Sequence, residues 1–210
     1  MGQLYDIPEL KDCCIMQEKD IGSFADCFAD GFEGYPLMNY FCGGIYDEEK
    51  IRLMWYTSIR AFNGQLLGVS DNEHINAAML LAPPDSKDPD LLSYLKAGAF
   101  RLVRSFGLKG TVRMQSFDTF AGKIKKKYMT NNCWYLFGFV SRKEIRGQGY
   151  SSKVLSPILA YFDRTGQDCY LETLDEKNVA LYKRFGFELM EVVKLPDSDL
   201  TIYAMLRKVC

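Results

Sequence analysis

The sequence predicts an α/β chain: one mixed sheet with helices on both faces. Three stretches carry this reading. Residues 134–140 form an apolar, aromatic-rich run bounded by polar residues, as in a buried strand. That run leads through Arg146-Gly147-Gln148-Gly149-Tyr150-Ser151 into Val154, Leu155, Ile158, Leu159 and Phe162, which share one helical face. Residues 88–128 show helical periodicity, and strand-like runs close the chain.

In chain order, a first helix is expected over 21–32, where Ile21, Phe24, Ala25, Phe28 and Phe32 make an apolar stripe after Asp20 as a cap; it stops at Gly34-Tyr35-Pro36. A second follows Asp47, with Glu48 and Glu49 in its first turn, Ile51, Met54, Trp55 and Ile59 facing inward, and Gly64 as its stop. Residues 65–69 and 75–82 read as an antiparallel hairpin around the turn signal Asp71-Asn72, ended by Pro83-Pro84. In the insert, Asp88-Pro89 starts a helical pattern of Leu91, Leu92, Leu95, Phe100, Leu102, Val103 and Phe106, divided by Gly98, Gly107 and Gly110. The last strand pair, 187–195 and 200–206, is joined by Pro196-Asp197-Ser198-Asp199.

Composition narrows the function classes. With 210 residues, 48% hydrophobic and 25% charged, the chain is expected to form one domain around one core. A balance of 26 Lys plus Arg against 27 Asp plus Glu recruits neither nucleic acid nor an acidic membrane, and the cluster Lys123, Lys125, Lys126, Lys127 reads as a solvated helix end. Asp6, Glu9, Lys11 and Asp12 break up any leader, Asp6 spoils an acylation motif, and no run reaches the ~20 apolar residues of a membrane span. A cytoplasmic protein is expected. The seven cysteines (Cys13, Cys14, Cys27, Cys42, Cys133, Cys169, Cys210) form no C-x-x-C pair and read as reduced thiols. The single histidine, His74, reads as a hairpin residue, so no metal site is expected and acid and base work falls to carboxylates, tyrosine, cysteine or water.

A glycine-rich turn between strand and helix gathers unpaired backbone N–H groups at the positive end of a helix, and a phosphate is its natural ligand. The P-loop spacing fails, because no Gly-Lys pair is followed by Ser or Thr. The dinucleotide fingerprint comes nearer through Gly147, Gly149, Ser152 and Glu172, but its fold needs several further parallel strands. Arg146, Gly149 and Ser151 resemble R-x-x-G-x-[GA], the pyrophosphate arm of the GCN5-related N-acetyltransferases (GNAT), with Ser in place of the usual Gly or Ala. The run Tyr170-Leu171-Glu172-Thr173, then Asn178, Leu181-Tyr182 and Phe185-Gly186-Phe187 resembles the second half of the same motif. The landmarks from Asp26 to Asp30, Tyr35-Pro36, Trp134-Tyr135-Leu136 and Leu171-Glu172-Thr173 resemble the small-molecule subset of that superfamily. Cys133 stands where relatives often carry His, and the turn from Ser141 to Ile145 is one residue longer than usual and lacks its Pro.

The resemblance implies a GNAT fold, a single mixed, mostly antiparallel sheet with helices on both faces and a helical insert before the central parallel strand pair, with acetyl-CoA as co-substrate, no metal, and acetyl transfer to the amine of a small molecule by direct attack. Residues 133–207 would hold acetyl-CoA and residues 20–132 would supply the acceptor side. It assigns cofactor binding to the main chain of Phe139 and Val140 and to Arg146, Gly147, Gln148, Gly149, Tyr150, Ser151 and Asn178. Tyr182 would be the acid that protonates the leaving thiolate, and Glu172 the carboxylate candidate for base, with water as the alternative. Phe28, Tyr35 and Trp134, with Phe32, would wall the acceptor side, although core packing accounts for each equally well. The acceptor amine is not legible, and a homodimer is left open. Two other classes compete: an NAD-type oxidoreductase, and a catalytically silent CoA-binding module.

Overall fold

The computed structural model describes residues 14–15, 17–62, 64–71, 74–84 and 86–209. The expectations for the amino-terminal residues 1–12, for Cys13 and Cys210, and for Asn72 at the hairpin turn lie outside the described residues.

A seven-stranded sheet runs in the order β1-β2-β3-β4-β5-β7-β6, built from β1 (Cys14–Ile15), β2 (Gln65–Asp71), β3 (His74–Ala82), β4 (Cys133–Ser141), β5 (Asp168–Thr173), β6 (Glu188–Lys194) and β7 (Thr201–Arg207). Among the described strands every pairing is antiparallel except β4 with β5. A doubly wound dinucleotide fold needs consecutive parallel units, so the sheet excludes that architecture here.

Helices cover both faces because strand side chains alternate and each face carries its own apolar set. On one face, Leu67, Met79, Trp134, Leu136 and Leu171 pack under α6 (Tyr150–Thr165), whose Val154, Leu155, Ile158 and Phe162 are buried as the spacing predicts. On the other, Ala78, Leu80, Val140, Tyr170 and Ala204 pack against α1 (Ile21–Gly31) and α3 (Glu48–Ala61). Asp47 caps α3 by accepting from the Lys50 N–H at 3.1 Å. Asp20 is the N-cap residue of α1 but makes no side-chain cap; its carboxylate accepts instead from the Gln17 N–H, at the start of a 3-10 turn.

Two stretches differ from expectation. The chain does not simply stop at Pro36: a short helix, α2 (Pro36–Cys42), starts with that proline in its first turn and buries Leu37, Met38 and Phe41, with left-handed Gly43 closing it. The insert forms α4 (Leu91–Lys96) and α5 (Phe100–Tyr128), broken at Gly107 where φ is 68°. Gly110 lies inside the helix, and a side chain there would come within 3.2 Å of the Phe41 carbonyl. Only Leu102, with half-buried Phe106, turns inward from the apolar set expected to be core; Leu91, Leu92, Leu95, Phe100 and Val103 are exposed. The stripe Leu102, Phe106, Gly110, Met114, Phe117, Ala121 and Ile124 already fills the inner face of α5.

Candidate active site

The site begins where the parallel pair comes apart. β4 and β5 are in register only at Cys133↔Asp168, Trp134↔Cys169 and Tyr135↔Tyr170. Beyond this fork the β4 arm pairs with β3 alone and the β5 arm with β7 alone. The β4 arm bends at once: Gly138 pairs with Leu80 and Leu136 with Leu81, so Phe137 is an extra residue in its strand. Gly138 is needed because a Cβ there would lie 2.9 Å from the Trp55 ring and 3.0 Å from that of Phe28. Phe139 and Val140 occupy this arm, their side chains packed on opposite faces. Their main chain has no β5 partner.

The arm leads into the glycine turn. Gly147 and Gly149 both have φ of 82°, a conformation few other residues tolerate, and a Cβ at either would meet nothing within 4 Å. Gly149 is the N-cap of α6 and contributes no side chain, so the first-turn N–H groups face an open approach, as an anion requires. Two tethers from the end of α1 hold the turn. The Arg146 guanidinium donates to the Gly31 carbonyl at 2.7 Å, and the Lys143 N–H donates to Asp30 Oδ2 at 2.8 Å. The Arg146 side chain thus shapes the turn instead of extending freely. Ser151 shares a hydrogen bond with Ser141 at the end of β4, Gln148 Nε2 donates to the Glu144 carbonyl at 3.3 Å, and the Tyr150 ring lies under the Lys153 ammonium at 4.5 Å.

At the tip of the β5 arm, Thr173 Oγ1 joins Tyr35, whose hydroxyl lies 3.2 Å away, to Asn178, whose Nδ2 donates at 3.3 Å. The Tyr35 hydroxyl also accepts from the Leu174 N–H at 2.6 Å. Tyr35 therefore ties the start of α2 to the start of α7 (Glu176–Arg184). Tyr182, one turn beyond Asn178 on α7, is buried edge-on against Phe187 at 5.6 Å, and burial pushes its phenol above the ordinary range, holding it protonated.

Glu172 lies just past the fork on the opposite face of the sheet from Tyr182, beside Tyr135, Tyr170 and Lys125. Burial raises its carboxyl, the neighbouring tyrosine hydroxyls and the Lys125 ammonium oppose this, and the net pKa is pushed up to about 7. The Tyr135 and Tyr170 hydroxyls lie against this buried carboxyl, although neither Oε1 nor the Tyr170 hydroxyl meets a partner in well-aligned hydrogen-bond geometry. Next to Tyr135 opens a pocket of about 250 Å³ lined by Ala82, Asp88, Lys125, Met129 and Asn131. Lys125 spans it, over the Tyr135 ring at 4.7 Å and ion-paired with Asp88. Its side chain is only 14% exposed, so Lys125 is no part of a solvated helix end, unlike exposed Lys123 and Lys126. A larger cleft of about 610 Å³ between α3 and α5 shares none of these residues.

Thr173 thus joins Tyr35 to Asn178, with Phe32 against the Tyr35 ring at 5.1 Å, whereas Glu172 and Tyr182 lie on opposite faces of the sheet, the glycine turn follows the other arm, and two aromatic candidates belong to the core. Trp134 is fully buried on the α6 face, stacked on Phe162 at 5.2 Å, with Nε1 donating to Gln167 at 2.9 Å. Phe28 is fully buried against Trp55 at 4.3 Å. Neither can touch an acceptor, because both side chains are fully buried in core packing. The sequence reading missed Tyr135, Tyr170, Lys125, Asp88, Thr173 and Asp30. The aromatic residues at i−2 from Glu172 and at the start of the Trp134 strand were the available signals for the two tyrosines.

Residues 108–187 match the sequence model of the Acetyltransferase (GNAT) family. Among solved structures, a histone acetyltransferase HPA2 and related acetyltransferase from Corynebacterium glutamicum superposes with a TM-score of 0.65 at 20% identity, over 94% of this chain and 96% of that one. An N-acetyltransferase from Staphylococcus aureus gives 0.59 at 14% identity over 92% and 98% of the two chains. A polyamine N-acetyltransferase of Drosophila melanogaster, which forms N-acetylagmatine, gives 0.58 at 12% identity over 94% and 100%. These likenesses are likenesses of fold.

Proposed function

We propose that the chain, whose residues 108–187 match the GNAT family model, is a GNAT acetyltransferase that moves the acetyl group of acetyl-CoA to the amine of a small molecule by direct attack. The observation that carries this reading is Glu172, a buried carboxyl just past the β4–β5 fork with its pKa pushed up to about 7, against Tyr135, which lines a pocket of about 250 Å³. A volume of that size suits a small acceptor group.

Acetyl-CoA supplies the activated acyl group. The turn from Arg146 to Ser151 would hold its pyrophosphate, the open main chain of Phe139 and Val140 would take its pantetheine amides, and Asn178 would border the slot. Residues 133–207 would in this way carry the co-substrate and residues 20–132 the acceptor side. Glu172 takes the amine's proton, which readies the nitrogen lone pair for the thioester carbon. The C–S bond breaks, and Tyr182 gives its phenolic proton to the departing thiolate from the other face of the sheet. Direct attack is favoured because Cys169, the thiol facing Tyr182, is buried with its pKa held well above the ordinary value and makes a poor nucleophile.

The test is thiol release from acetyl-CoA across a library of small amines. A carboxylate with its pKa raised to about 7 is protonated, and idle as a base, below that pH. Turnover should therefore rise with pH through about 7, and Glu172→Gln should abolish that limb and lower kcat by roughly 10²-fold or more. A Glu172→Gln enzyme with the parent's rate and pH profile would remove the base, and a library without any acceptor would remove the small-amine reading.

A further inference from the structure

α5 has two apolar faces, and the fold uses only one. Leu91, Leu92 and Leu95 on α4, and Phe100, Leu108 and Val112 on α5, are turned outward; Leu91 is 74% exposed, Phe100 69% and Leu108 77%. Large exposed apolar groups concentrated on two consecutive helices mark an interaction surface. Between residues 91 and 113 every exposed residue is Leu, Val, Phe, Gly, Lys or Arg, and the stretch contains no Asp or Glu at all. In a chain of net charge -1, this is a strong local segregation, which the overall balance conceals.

From this we infer that α4 and the first turns of α5 form a docking surface for an anionic lipid bilayer. The outward Leu, Val and Phe side chains enter the headgroup boundary, and Lys96, Arg104 and Lys109 meet lipid phosphates. Arg101 turns instead toward α3, where it shares a cleft with Asp47 and Glu49. Charge decides between occupants. A second copy docked through the same face would set like cations opposite one another, and a specific protein partner would be met by hydrogen-bonding amides and hydroxyls, which are missing among the exposed residues here. A bilayer requires only apolar depth and cations. No helix among the described residues is long and apolar enough to cross a membrane, so the contact is with its surface. The inference is independent of the acetyl-transfer reading.

Flotation of the full chain with phosphatidylcholine vesicles, with and without phosphatidylglycerol, tests it. The chain should float only with the anionic vesicles and be released by high salt. Since each cation near such a surface contributes roughly fivefold, the triple variant Lys96→Glu, Arg104→Glu, Lys109→Glu should weaken partitioning by about 100-fold or more. Phe100→Ser with Leu108→Ser should lose binding at low salt as well. Both variants change exposed positions, so thermal unfolding should match the parent. Equal recovery with neutral and anionic vesicles, or none with either, overturns the proposal. So does a dimer in sedimentation that Phe100→Ser with Leu108→Ser dissociates.

Discussion

Tyr182 is buried on α7 with its ring held by Phe187, so its hydroxyl can be removed without disturbing the packing that holds it. Burial keeps the phenol protonated, the state a proton donor needs at neutral pH. Tyr182→Phe should leave acetyl-CoA affinity unchanged while kcat falls by about 10²-fold, measured where chemistry limits the rate. Normal turnover in that variant would assign the proton to water. At this scale the sequence was informative about motif residues and poor about aromatics. Asn178 and Tyr182 stand four apart, a spacing that by itself puts both on one helix face. Trp134 and Phe28 lie on a strand and a helix whose inward direction is legible, but not which ring ends in the core and which borders a cavity. Lys125 meets Asp88 across 37 positions of chain, a pairing that only the fold creates.

Among the elements, the glycine turn combines strain with support. Gly149 has φ of 82°, where a β-branched residue is a genuine outlier, and its missing Cβ leaves the approach to the first turn of α6 clear. Gly149→Val should cost roughly 1–3 kcal/mol of stability. It should also raise the Kd for acetyl-CoA strongly by titration calorimetry, with unfolding still cooperative. Unchanged affinity would put the pyrophosphate elsewhere. The turn itself was readable from Arg146, Gly147 and Gly149. Its two anchors to α1 were not, because Asp30 and the Gly31 carbonyl are more than 100 positions away in sequence. Helices with one apolar stripe, such as α1, α3 and α6, could be read from periodicity. α2 is too short for a stripe to stand out, and α5 carries apolar residues on two faces, so periodicity could not say which one the core takes.

For the molecule as a whole, the sheet separates the two nucleotide-cofactor readings of the same turn. One parallel pair, opened beyond Tyr135 and Tyr170, makes a slot between strands instead of a row of parallel strands ending at a crevice. A ligand lying in that slot would touch β4, the turn, α6 and the arm of β5 together, and would resist their separation on unfolding. Mass action then gives ~2.7 kcal/mol of stabilisation at a hundredfold excess over Kd. For a chain of this size, that corresponds to about 5–10 °C in Tm. Acetyl-CoA and CoA should both produce such a shift, since the pyrophosphate and pantetheine arm are common to them, while NADH and ATP, lacking that arm, should produce far less. Because the shift reads binding alone, it bears on the slot whatever the acceptor amine is. A shift with NADH and none with acetyl-CoA would mean that the open main chain of Phe139 and Val140 is not a pantetheine site.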